Sequence, residues 1–87
     1  MSINLPSQKY VTTFFIVLDR ETKMFLVHND GCNLIASDAN GTVIAFYVIN
    51  PPFNMVGKLA AFDQALRLML FESADYAKSW YPCFYAV

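Results

Sequence analysis

The stretch CNLIASDANGTVIAFYVIN, residues 32–50, decides the fold. At its centre stands Asn40-Gly41, the strongest short hairpin signal in the chain, because tight reversals need positive φ, which Gly adopts freely and Asn tolerates. On either side, Cys32 to Ser37 and Thr42 to Asn50 are rich in β-branched, aromatic and other apolar side chains and read as paired strands. Working back towards the amino terminus, Asn29-Asp30-Gly31 repeats the turn chemistry and is preceded by a strand at Lys23 to His28. Asp19, Arg20, Glu21 and Thr22 make a polar turn, and Tyr10 to Leu18 is the first strand, after a short irregular lead from Met1 to Gln8. Chain reversals this short join antiparallel neighbours, so four consecutive strands form a meander. The strand sequences do not match one another, which attributes the repeated hairpins to shared turn physics and not to duplication.

Working forward, Pro51 and Pro52 stop the fourth strand because neither donates a ladder hydrogen bond, and Asn54 is placed to cap a helix beginning near Met55. Leu59, Phe62, Leu66, Met69 and Leu70 recur at spacings of three and four, forming one apolar stripe, with Lys58, Asp63, Gln64 and Arg67 elsewhere. Leu68 and Phe71 fall off that stripe, which calls for a wide apolar arc or a second packing surface. Glu72 to Trp80 remains compatible with helix, while Ser73 with Asp75 equally suits the cap of a new short one. Pro82 ends any helix, and Cys83 to Val87 reads as a final edge strand. The expected architecture is a single α+β domain over residues 1–87: a four-stranded antiparallel meander, with a fifth strand allowed at the carboxy terminus, packed against one long C-terminal helix.

Against that fold the composition is unusual. Of 87 residues, 56% are hydrophobic, 16% aromatic and 15% charged, where globular chains carry about 25% charged residues. A chain this short has a thin core, so the surplus should emerge as contiguous apolar surface, the mark of a partner site or subunit interface. The longest apolar run, Val43 to Ile49, falls far short of the roughly 20 residues of a membrane span. No basic leader or small-residue cleavage site accompanies the apolar stretch Phe14 to Leu18, so the expected compartment is the cytoplasm, that of the host if the chain is phage-encoded. There, Cys32 and Cys83 are expected as reduced, packed thiols. The net charge of −1, with Lys9, Arg20, Lys23, Lys58, Arg67 and Lys78 scattered along the chain, provides no basic stripe for nucleic acid.

Residues capable of chemistry are few. His28 and Cys32 would flank a tight turn, with no third group to orient the imidazole and too few ligands for structural zinc. Asp38, Asn40 and Gly41 lack the spacing of a calcium loop, and the isolated glycines form no phosphate cradle. Asp63 is spaced to pair with Arg67 one turn later on a solvated face. No catalytic, cofactor-binding or metal-binding residue is therefore assigned, and the chain is expected not to be an enzyme.

The carboxy-terminal cluster Tyr76, Trp80, Tyr81, Phe84 and Tyr85 admits two readings, core packing or contact surface. If one helix covers one sheet face, then Phe15, Val17, Phe25, Val27 and Ile35, or the set alternating with them, lie uncovered on the other. A homodimer is the economical cover and a heterologous protein partner the rival. The candidate contact residues are Phe15, Val17, Phe25, Val27, Phe71, Tyr76, Trp80, Tyr81, Phe84 and Tyr85. By kind and not by motif, such a chain belongs with small proteins that occupy a surface of a larger machine, such as phage or mobile-element inhibitors of bacterial defence, anti-CRISPR proteins included. The alternative is a small ligand-binding domain or enzyme whose pocket forms at a homodimer interface, with His28, Cys32 or the terminal tyrosines as its polar groups.

Overall fold

A computed structural model describes residues 8–50 and 54–87. The chain forms strands β1 (Lys9–Leu18), β2 (Glu21–Asn29), β3 (Asn33–Ser37) and β4 (Val43–Val48), helices α1 (Met55–Phe71) and α2 (Ala74–Trp80), and strand β5 (Phe84–Ala86). The strands build one antiparallel sheet in the order β1-β2-β3-β4-β5. The meander and the fifth strand are thus as expected. The expected irregular lead, up to Ser7, and the Pro51-Pro52 stop lie outside the described residues.

Each reversal has a local cause. Leu18 pairs with Glu21, so the first hairpin turns in two residues, Asp19 and Arg20, tighter than the four-residue turn expected from polarity. Both adopt positive φ, 52° and 66°, the backbone of a type I′ turn, which Asp tolerates and Arg does not favour. In the second hairpin Asn29 Oδ1 accepts from the Gly31 amide at 2.7 Å, and Asp30 Oδ1 accepts from the amides of Cys32 at 2.9 Å and Asn33 at 2.7 Å. In the third, Asp38 Oδ1 accepts from the amides of Asn40 and Thr42, both at 2.9 Å, while Gly41 supplies a φ of 84°.

The helical part corrects the expectation of one long helix: α1 has 17 residues and α2 has 7. Glu72 leaves helical geometry at φ −121°, ψ −88°, and Ser73 Oγ accepts from the Tyr76 amide at 3.0 Å, capping a new helix. A serine hydroxyl competes with the backbone for this role, so the break occurs where Ser73 can satisfy an otherwise unpaired amide. After the break α2 packs on α1 and on β5. At the other end Asn54 Oδ1 accepts from the Gly57 amide at 3.3 Å, the expected cap.

The core lies between the helices and one sheet face. Phe62 is fully buried and its ring meets Phe14 at 5.9 Å, Tyr47 at 5.8 Å and Phe84 at 6.1 Å, so a single helical side chain joins β1, β4 and β5. Leu59, Leu66, Met69 and Leu70 fill the same layer, and Leu68 packs against it from off the stripe. Truncating a buried Phe of this kind costs about 3–5 kcal/mol through lost transfer energy and the cavity left behind.

Candidate functional site

Strand alternation and the ladder register sort the sheet into two faces. Phe14 and Ile16 of β1, Phe25 and Val27 of β2, Leu34 and Ala36 of β3, Ala45 and Tyr47 of β4, and Phe84 of β5 are buried under the helices. Their neighbours point the other way, where none of the described residues supplies cover. Phe15 is 60% exposed and Val17 59%, values that a strand covered on both faces would not show.

A slip in register completes this open face. Tyr10 pairs with His28 but Thr12 pairs with Val27, so Val11 is an extra residue and Tyr10 turns out beside Thr13. The Tyr10 and Thr13 hydroxyls share a hydrogen bond at 2.7 Å, and the Tyr10 ring meets His28 edge-on at 5.8 Å. The pairings Tyr10 with His28, His28 with Ile35, Ile35 with Phe46 and Phe46 with Tyr85 then draw one continuous row across all five strands. Phe46 and Tyr85 stack at 5.1 Å with planes 13° apart. Around this row stand Phe15, Val17, Met24, Leu26 and Val48.

The electrostatics of this face are its second property. The charged residues within strands, Lys9, Glu21 and Lys23, pair with Asn29, Leu18 and Ile16 and so fall on the helix side. There the Lys23 ammonium, 2.9 Å from Glu21, holds the Glu21 carboxyl below the usual range through a hydrogen bond and charge attraction. Asp19, Arg20, Asp30 and Asp38 are confined to turns. Among the described residues, no strand residue of the open face is Asp, Glu, Lys or Arg, and the Lys78 ammonium reaches only its rim, against the Tyr85 ring. A shallow hollow of about 180 Å³ lies within it, lined by Asn33, Ile35, Val43 and Phe46.

The edges of the sheet are guarded. Arg67 on α1 donates from Nε to Asp63 at 3.0 Å and from Nη2 to the Phe15 carbonyl at 3.2 Å, so the expected helix pair also clasps the backbone of edge strand β1. On the other edge Lys78 donates to the carbonyls of Pro82 at 2.9 Å and Phe84 at 3.3 Å, and its ammonium lies 3.2 Å from the Tyr85 ring centroid. The sheet edges are less open to strand addition than its face is to a flat partner.

Of the sequence-derived contact candidates, Phe15, Val17 and Tyr85 lie on the open face. Phe25 and Val27 do not: at 6% and 0% exposure they belong to the core, and so does Phe84 at 0%. Their strand phase places them under α1, where no partner reaches. Phe71, Tyr76 and Trp80 are exposed on the helical flank, and with Gln64, Leu68 and the half-buried Tyr81 the last two line a separate groove of about 300 Å³. The cluster read as one unit from sequence is therefore divided among core, flank and open face. Tyr10, Met24, Leu26, His28, Phe46 and Val48 were missed as contacts. Their signal was present in the alternation, since fixing Phe25 and Val27 inward turns Met24, Leu26 and His28 outward.

Compared with family profiles, curated proteins and solved structures, the chain matches none. Its chemistry must be read from the residues themselves. His28 is engaged by the Tyr10 ring, and Cys32 stands exposed in the second turn. The Cys32 carbonyl accepts from the Ile49 amide and the Cys83 carbonyl from the Val48 amide, both at 3.0 Å, so the two cysteines flank β4 from opposite sides. Two strand spacings, about 9.5 Å, exceed the roughly 7 Å that a disulfide spans. Both thiols are free. Burial pushes the Tyr47 phenol up from its ordinary value, keeping it a neutral member of the core. No helix among the described residues is long and apolar enough to cross a membrane.

Proposed function

We propose that this chain is a small non-enzymatic binding domain that acts by protein–protein contact through the open face of its sheet. The observation that carries the reading is the row Tyr10, His28, Ile35, Phe46 and Tyr85, which crosses five strands on a face whose own strand residues carry no formal charge. A contiguous apolar area of this kind on a small domain is the usual signature of a contact surface, and tyrosine and phenylalanine carry much of the energy where such surfaces meet. A protein of this size and near-neutral charge is suited to a cytoplasmic role in which it occupies a surface of a larger assembly. Phage or mobile-element inhibitors of bacterial defence, anti-CRISPR proteins included, work in this way, and that is the biological role proposed for it.

The test is affinity capture from source-cell extract by immobilised wild type, Ile35→Lys and Trp80→Glu. The reading expects a specific protein, a second copy of this chain included, retained by wild type and Trp80→Glu and lost with Ile35→Lys. Equal retention by Ile35→Lys, or loss of a measured activity on Cys32→Ser with fold and assembly intact, would overturn it.

A further inference from the structure

Resting on the reading that the open face is the docking surface, a further step names what covers it. We infer that the occupant is a second copy of this chain, seated face to face about a twofold axis so that the two five-stranded sheets close into a sandwich. Aligned packing of two twisted sheets about 10 Å apart is the standard way to bury such a face.

Charge is the first argument. Interfaces with a separate partner are commonly steered and registered by complementary charges, whereas homodimer interfaces are the more apolar class. Here Lys9, Glu21 and Lys23 are all turned to the helix side by the strand register. Apart from the Lys78 ammonium at the β5 rim, self-pairing of the open face therefore brings no like charges together, a condition that a surface meeting itself must satisfy.

Area is the second. Tyr10 is 59% exposed, Phe15 60%, Val17 59%, Met24 39%, Val43 40% and Tyr85 40%. Taking about 150–250 Å² for each large aromatic and about 150 Å² for each of the others, these side chains present roughly 450–600 Å² per copy, or about 900–1,200 Å² for the pair, which at its upper end reaches the size of a specific interface.

Sedimentation equilibrium over a dilution series tests the inference with wild type, Ile35→Lys, Phe15→Lys and Trp80→Glu. The exposed Phe15 position provides the second charged variant should Ile35→Lys disturb folding. Wild type is expected at twice the chain mass at high concentration and to dissociate on dilution. Each face variant, with unchanged circular dichroism, should dissociate at least about 100-fold more readily, since burying an unpaired ammonium costs several kcal/mol. Trp80→Glu should match wild type. A wild type that stays monomeric throughout overturns the second copy as occupant while leaving the binding reading to its capture test. A dimer broken by Trp80→Glu but not by either lysine overturns it as well, since the copies then meet through the helical flank, and again leaves the binding reading to its capture test.

Discussion

Phe46 and Tyr85 stack across the β4–β5 ladder with ring centroids 5.1 Å apart, and the same Tyr85 ring lies 3.2 Å below the Lys78 ammonium. The last strand is three residues long, too short to hold its place by ladder bonds alone. It stays because Phe84 is buried in the core, Tyr85 stacks outward, and Lys78 binds the carbonyls on either side of Cys83. Function and fold meet at this point, since the stacked pair closes one end of the open-face row.

Lys78→Met should therefore loosen β5 selectively. The charge-assisted bonds and the cation–π contact together predict a loss of about 1–2 kcal/mol. Hydrogen exchange should quicken at the Val48 and Val87 amides, which bond to Cys83 and Ile44, while the β1–β2 amides keep their protection. Uniform acceleration across the sheet would show that Lys78 is not a local clasp.

Ser73→Ala removes the oxygen that receives the Tyr76 amide. A lost N-cap costs about 1 kcal/mol, and Ser73→Gly should cost only a few tenths. Chemical denaturation of both variants checks the order, and an alanine variant as stable as wild type would mean that the break between α1 and α2 has another cause.

The first hairpin predicts a gain. Arg20 holds a φ of 66°, a conformation unfavourable for a side chain with Cβ and free for glycine. Arg20→Gly converts the turn to the preferred Asp-Gly pair and should raise stability by about 0.5–1 kcal/mol after its entropy cost. Gly41→Ala, at a φ of 84°, should lose about 1 kcal/mol. Thermal melts of the two variants should move in opposite directions.

Asp30 predicts a pH dependence. Partial burial pushes its carboxyl up, but hydrogen bonds from the Cys32 and Asn33 amides and from the Asn33 side chain outweigh that and hold it below the ordinary carboxylate value. With the folded value below the unfolded one, ionised Asp30 stabilises the fold above the unfolded value, and the contribution disappears as pH falls through the folded value. Solvent screens so exposed a group, so the effect should stay within about 1 kcal/mol. Urea midpoints should fall more for wild type than for Asp30→Asn between about pH 5 and about pH 2. Parallel curves would remove Asp30 from the account.

Much of the fold was legible because its turns are written in residues with one conformational use. Asn40-Gly41 and Asn29-Asp30-Gly31 mark reversals whatever the tertiary context, and the stripe from Leu59 to Leu70 has a single helical reading. The faces of the sheet were harder. In β1, Phe14 and Phe15, then Ile16 and Val17, offer the same hydrophobicity in both phases, so alternation alone assigns neither inward. Phe25 and Val27 were placed with the exposed set for that reason, and only pairing with the β1 register, including the bulge at Val11, separates them. The helix break was readable as a choice at Ser73, where helix propensity and an N-cap worth about 1 kcal/mol compete. Packing of α2 on α1 and β5 decides it.

The most direct measurement is the accessibility of methyl groups to a water-soluble paramagnetic probe by NMR, at high protein concentration and after dilution. The account predicts that the Val17, Met24 and Ile35 methyl signals are shielded at high concentration and broaden on dilution, while Val56, 77% exposed on α1, is broadened throughout. Open-face methyls as accessible as Val56 at every concentration would contradict the claim that a second copy covers this sheet.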